Sequence, residues 1–339
     1  MTAALKVIQI GPAAGFQDLG RPGYIASGLT RGGAIDTLAV HEGAALLKQS
    51  PDCAVLEIAS VGGVFEATAP LRIALTGADM TARIDDAAAA WNAVHQMEAG
   101  QRLTIGAARS GSYAYLHIGG GFDAPVRMGA RGGHMSAGLG KLIAKGDTLP
   151  ALPDTGTRTG YYLPRDKRFD GGTVRIVPSV QTNHFPPEER ARFEATAFKR
   201  DPRANRQGIR MEHDGEGFAA QGMRTIVSEV IVQGDIQITG DGTPFVLMCE
   251  SQTTGGYPRI GTVIPADLPR MAQTPAGGKI TFQFITLDEA VVIQQQDAKA
   301  RAGLAAKAQP LVRDINDISD LLSYQLVSGA ISAQADPFE

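Results

Sequence analysis

Four polar, glycine-rich stretches hold the residues best suited to chemistry. The first, Phe16-Gln17-Asp18-Leu19-Gly20-Arg21-Pro22-Gly23-Tyr24, continues through Gly32-Gly33-Ala34-Ile35-Asp36. Asp18 and Arg21 in one turn suit a turn-stabilising ion pair; equally, Arg21 can offer its fork of donors to a carboxylate or phosphate. The second is Gly119-Gly120-Gly121-Phe122-Asp123, followed by Gly129-Ala130-Arg131-Gly132-Gly133-His134 and Gly138-Leu139-Gly140. Successive backbone N–H groups in such loops form anion-binding nests that Arg131 would reinforce, although glycines also serve bulges and tight barrel turns. In the third, Asn205-Arg206-Gln207-Gly208-Ile209-Arg210, an extended backbone puts Arg206, Gly208 and Arg210 on one face. Two guanidinium groups there suit an anionic ligand, a partner subunit or plain solvent exposure. The fourth, Glu250-Ser251-Gln252-Thr253-Thr254-Gly255-Gly256-Tyr257-Pro258, follows an apolar strand directly and is the most specific stretch in the chain. It reads as a hydroxyl- and amide-rich loop at a barrel end, or as an ordinary hairpin connection.

Such loops need a frame of short strands, and 41 Gly and 19 Pro punctuate the chain at the intervals that frame requires. Strands are expected at Ala3–Ile10, Leu71–Thr76, Arg102–Ile105, Ser112–Ile118, Thr173–Pro178, Thr225–Val232, Phe245–Cys249 and Lys279–Ile285. The fold class is therefore mainly β, with barrels or sandwiches favoured over a doubly wound sheet. The best internal helix is Ile35–Lys48, with Asp36 as N-cap. Pro186–Phe198 starts with Pro-Pro-Glu-Glu, which suits a helix N-terminus. Leu287–Ala308 and Ile315–Leu326 are expected as C-terminal helices before a loose tail. The charged, Gly- and Pro-rich segment Ala151–Gly172 marks a boundary, dividing the chain into residues 1–160, 161–300 and a C-terminal segment 301–339. Strands around a glycine-rich loop in each half hint at duplication, without a strict sequence period.

Composition narrows the classes. At 339 residues, 43% hydrophobic and 20% charged, the chain has ordinary globular proportions. A formal net charge of −3 with scattered Lys and Arg argues against nucleic acid. No apolar run approaches the length of a membrane span, so the expected address is the cytoplasm without a membrane partner. There is no P-loop, no strand-borne Gly-x-Gly-x-x-Gly and no Gly-x-Ser-x-Gly elbow. The six histidines lack metal-ligand spacing and no metal site is expected. Cys53 and Cys249, in apolar surroundings, read as inert thiols.

The segments FQDLGRPGY, SGLTRGGAIDTLA, ALTGAD, ARSGSYAYLHIGGGFDAP, NRQGIRM and ESQTTGGYPRIGTVI, in this order across nearly the whole chain, resemble the allophanate hydrolase subunit 2 family, also known as a carboxyltransferase domain family. The resemblance implies two cyclophilin-like β-barrel domains with a few peripheral helices. It implies the larger subunit of an ATP-dependent 5-oxoprolinase, working with a smaller homologous subunit and possibly a lactam hydrolase subunit, with Mg and ATP used through the complex. Arg21, Arg131, Arg206 and Arg210 would then hold phosphate or carboxylate charge. Asp18 or Asp36 would bind metal or move protons, Thr254 would be catalytic, and Gln252, Thr253, Gly255 and Tyr257 would contact substrate. A second reading is the carboxyltransferase subunit of a urea or amide carboxylase, with biotin carried by another protein and the Thr253–Gly256 loop stabilising an oxyanion. A third is a regulatory binding module without turnover. The Ser-Ser-Lys arrangement of an amidase is absent. One departure stands out: relatives read Gly-Ser-Arg-Ser-Thr where this chain has Gly129-Ala130-Arg131-Gly132-Gly133, so three hydroxyls are missing while Arg131 carries over.

Overall fold

A computed structural model describes residues 3–220 and 227–312. The first ten strands are β1 (Ala4–Ile10), β2 (Ala14–Gln17), β3 (Val55–Ala59), β4 (Val61–Ala67), β5 (Leu71–Ile84), β6 (Ala87–Ala88), β7 (Ala93–Met97), β8 (Arg102–Ile118), β9 (Thr148–Pro150) and β10 (Tyr161–Tyr162). They form an eleven-stranded sheet with a two-residue strand, Gln309–Pro310, that returns to pair with β10. The barrel strands are β11 (Gly172–Val177), β12 (Phe198–Arg200), β13 (Gly208–Glu212), β15 (Asp235–Ile238), β16 (Pro244–Leu247), β18 (Arg259–Val263) and β19 (Lys279–Phe284). These seven close on themselves, while β14 (Glu229–Val230) and β17 (Thr254–Gly255) make a separate two-stranded flap.

Alternation explains the barrel. Ile209 and Met211 on β13, Ile236 and Ile238 on β15, and Val246 on β16 turn inward and are fully enclosed, leaving the residues between them on the outer wall. Phe193, Phe198 and Phe282 pack inside, with ring centroids 5.0–5.4 Å apart. The expected strands Arg102–Ile105 and Ser112–Ile118 prove to be one strand of 17 residues. The glycines at 106 and 111 do not end it, because β8 slips register against β5 at bulges and continues. Of Thr225–Val232, only Glu229–Val230 is strand among the described residues.

Three helices begin near their expected starts. The first, α1 (Thr37–Leu47), has Asp36 as N-cap, its carboxylate accepting from the Ala39 N–H at 3.1 Å. It lies on β5 and β8 so closely that a Cβ on Gly43 would fall 2.2 Å from the His117 ring. The next, α2 (Pro187–Ala195), stops short of the expected Phe198, which is already in β12. A short α3 (Leu268–Gln273), not expected from sequence, precedes β19. The last, α4 (Leu287–Ala302), opens with a capping box between Thr286 and Glu289 and ends at Gly303 before a short 3₁₀ turn. Ile315–Leu326 lies outside the described residues. No described helix is long and apolar enough to cross a membrane.

Two large hydrophobic clusters, with a small third one under the end of α1, fill the interior among the described residues. One fills the large sheet; the other runs out of the barrel into Ile35, Val40, Tyr113 and Tyr115 of the first half. The two halves therefore share apolar packing, and the loops of both meet along the seam.

Candidate functional site

The seam gathers residues of all four polar stretches. Arg206 donates from Nε to Glu250 at 2.6 Å, from Nη2 to the Gly33 carbonyl at 2.6 Å and from Nη1 to Glu57. Glu57 also accepts from the Tyr115 hydroxyl at 2.7 Å and the Ile35 N–H at 2.9 Å. Glu250 accepts from the Met135 and Ser136 N–H groups at 2.9 and 3.3 Å. Beside it, Thr30 Oγ1 donates to the Ser251 carbonyl at 3.1 Å, so the 2.8 Å contact with His134 Nε2 requires the imidazole to be the donor there. Burial, reinforced by Arg21 and Arg206 and opposed by Glu250, lowers the His134 pKa and favours the neutral ring. Arg21 is 1% exposed; Nη2 donates to the Gly132 carbonyl, while Nε and Nη1 have no partner among the described residues.

A second knot lies deeper. Arg168 donates to Asp36 at 2.9 Å and makes a bidentate pair with Glu42 at 2.7 and 2.9 Å. Gln273 joins Asp36 at 2.8 Å and accepts from the N–H groups of Ser112 and Tyr113. Asp36 is thus an enclosed structural carboxylate here, capping α1 and balancing Arg168. Asp18 is also engaged: it accepts from the N–H of Gly20 at 2.8 Å and that of Arg131 at 2.6 Å. It pairs with the backbone of the second glycine-rich loop, not with the Arg21 side chain.

Ser251 and Gln252 of the fourth stretch also reach Arg210, on the outer wall of the barrel. Arg210 of β13 and Gln237 of β15 both stand opposite Phe245 of β16, so the three side chains form one row across three strands. Above this row opens a cavity of about 600 Å³, rimmed by Arg203, Asn205, Gln207, Ser251 and Gln252. No carboxylate lines it among the described residues. Arg203 holds Asp201 at 2.5 Å, depressing that carboxyl's pKa, and leaves Arg210 only long contacts of 3.3–3.5 Å to Asp201, Glu212 and Thr243. Gln237 and Ser251 are more than nine-tenths buried, yet Gln237 Nε2 and Ser251 Oγ have no partner among the described residues. An unmet buried polar group costs roughly 1–3 kcal/mol, so two beside one cavity mark a place shaped for something polar. Gly255 overhangs the same amide: a Cβ there would lie 2.5 Å from Gln237 Nε2.

The carboxyltransferase domain family model, subdomains A and B, matches residues 27–284. The chain belongs to this family. It is 32% identical over 300 residues to a 5-oxoprolinase subunit of Escherichia coli (strain K12), covering 87% of this chain and 96% of that one. The Haemophilus influenzae protein of the same name is 28% identical, over 86% of this chain and 95% of that one. Among solved structures, Kluyveromyces lactis urea amidolyase superposes with a TM-score of 0.81 at 22% identity, across 89% of this chain but 20% of the larger one. That likeness extends the mainly β carboxyltransferase fold to a much longer protein.

Within this family fold, the sequence-derived candidates separate into groups. Arg21, Arg206 and Asp18 sit at the seam, and Asp36 sits just beneath it. Arg210 and Gln252 line the outer cavity, with Gly255 over it. Thr253 and Thr254 secure the flap through the Ile231 N–H and the pairing with Val230, and Tyr257 is half exposed beyond it. Arg131 stands apart, its guanidinium on Asp123 and the Ala124 carbonyl. Sequence reasoning did not single out Gln237, Glu57 or Arg168, and it placed Glu250 and Ser251 in the fourth stretch without giving either a role. A lone glutamine at an outward position of an alternating strand carries no signal; its meaning comes from the two strands beside it.

Proposed function

We propose that this chain is the larger subunit of an ATP-dependent 5-oxoprolinase, acting with a smaller homologous subunit to open 5-oxoproline to L-glutamate. The observation that carries the reading is end-to-end similarity: the match to the Escherichia coli protein spans 96% of its length, whereas the urea amidolyase match covers a fifth of a larger one. In this scheme a phosphoryl group passes from ATP to the lactam oxygen, releasing ADP, and water then opens the activated ring with loss of phosphate. A separate lactam hydrolase subunit would serve the second step. Among the described residues no three His, Cys, Asp or Glu side chains gather for a metal ion, so Mg would arrive with the nucleotide and take further ligands from the partner. This chain's own contribution is cationic and amide donors facing an anionic substrate, in the cytoplasm.

The test is to copurify the chain with its smaller subunit and follow ATP hydrolysis with and without 5-oxoproline. Coupled release of ADP and glutamate is expected, with the isolated chain nearly inactive. Turnover indifferent to 5-oxoproline but supported by urea and a biotinylated carrier would replace the reading with carboxyl transfer; binding of a partner with no turnover on either substrate would make the chain a regulatory module.

A further inference from the structure

We propose that the cavity on the outer wall of the barrel binds a compact ring cis-amide bearing a carboxylate, with the Gln237 carboxamide paired to the amide edge and Arg210 to the carboxylate. The choice of 5-oxoproline as its natural occupant rests on the enzymatic reading above. The pocket assignment itself rests on geometry.

A ring amide is locked cis, so its N–H and C=O point from one edge. A primary carboxamide presents the same two groups in the opposite order and can make two parallel hydrogen bonds to that edge. Gln237 is such a group, 7% exposed, beside the cavity and with its amide nitrogen unpartnered among the described residues. Ser251 adds a second polar atom unmet among the described residues, at 6% exposure. Phe245, between Gln237 and Arg210 and only partly covered, offers a flat apolar face for the ring.

Charge sets the other end. With Asp201 taken by Arg203, the Arg210 guanidinium has only long contacts and can turn to a carboxylate. Size follows from the sheet. Arg210 and Gln237 flank one intervening strand, so their backbones lie about 9–10 Å apart and their side chains stand on the same face as Phe245. That span suits a five-membered ring with the carboxylate directly attached. Gly255 fits this arrangement because any side chain there would strike the Gln237 amide.

The experiment is calorimetric titration of the purified full chain with L-5-oxoproline, 2-pyrrolidone (ring amide only), L-proline (carboxylate without the ring carbonyl) and biotin. Wild type should bind 5-oxoproline most tightly. Gln237→Leu should weaken 5-oxoproline and 2-pyrrolidone about tenfold or more and leave L-proline within about twofold. Arg210→Ala should do the reverse, weakening the two carboxylates and sparing 2-pyrrolidone. Gly255→Ala, which leaves both contacting residues in place, should behave like Gln237→Leu. The proposal is overturned if no probe binds, if biotin binds more tightly than 5-oxoproline, or if each substitution weakens all probes alike, the pattern of a merely structural role. Failure of the pocket with intact 5-oxoproline turnover in the complex leaves the enzymatic reading standing. The expected titration pattern without 5-oxoproline-dependent turnover sinks that reading and keeps the pocket.

Discussion

The seam between sheet and barrel and the cavity on the barrel's outer wall are built from the same residue types, arginines with amides and acids, but they leave those groups in opposite states. At the seam every nitrogen of the Arg206 guanidinium has a partner, and Arg168 is held by Asp36, Glu42 and Asp166. On the outer wall, among the described residues, Arg210 has only long contacts, and Gln237 and Ser251 keep unmet atoms. Saturated buried charge holds two bodies together; unsaturated polar groups beside open volume wait for a ligand. A guanidinium in this fold is therefore judged by its neighbours. Arg21 falls between the two states, enclosed like the seam yet with two nitrogens unpartnered among the described residues.

The contrast can be broken most severely at Arg168. Arg168→Met strands Asp36 and Glu42 in the interior, and unfolding by denaturant should show a loss of roughly 3–5 kcal/mol. Arg210→Ala should cost under about 1 kcal/mol, since the partly exposed guanidinium makes only long contacts; equal costs at the two sites would erase the distinction. Next in size is acid sensitivity. His117 is completely buried against α1, donates to Thr76 Oγ1 at 2.8 Å, and burial lowers its pKa to about 3. The folded value lies below the unfolded 6.5, so its contribution is present above pH 6.5 and is lost as pH falls toward 3. The slope from this one group approaches ~1.4 kcal/mol per pH unit. Unfolding free energies at pH 7 and pH 5 should differ accordingly, and His117→Gln should flatten the dependence; an unchanged slope would assign the acid lability elsewhere.

Smaller effects sharpen the picture. Arg131→Ala removes a partly exposed pair with Asp123 and should lower stability by no more than about 1 kcal/mol. If substrate affinity in the assembled enzyme falls tenfold as well, the second glycine-rich loop is an anion site despite its missing hydroxyls. Thr254→Val, at an exposed position of the flap, should change stability by less than about 0.5 kcal/mol while reducing turnover. A lower melting temperature with unchanged specific activity would make the flap architectural.

Much of the frame was legible because its signals are local. Short apolar stretches between glycines and prolines announced three of the seven barrel strands, β11, β16 and β19, and Asp36 announced the start of α1. The long β8 was not legible, since Gly106 and Gly111 look like strand ends until a neighbouring strand shows that the ladder continues through them. The site divides the same way. Glycine-rich loops were visible as loops, and Arg206 was visible as a charge, but its engagement with Glu57 spans 149 positions in sequence and no local pattern encodes it. Gln237 was hidden for a related reason: what distinguishes it is a partner that is missing, and a missing partner is seen only in three dimensions.

Arg206 has one further consequence. Its guanidinium joins Glu57, carried by the sheet, to Glu250, carried by the barrel, and Glu250 in turn accepts from the Met135 and Ser136 amides, anchoring a loop of the first half as well. Positions 57, 206 and 250 thus form a unit of inheritance: among related chains they should be exchanged together or not at all. A gene cut between the halves would yield two products, each carrying acids or a base whose complement is on the other.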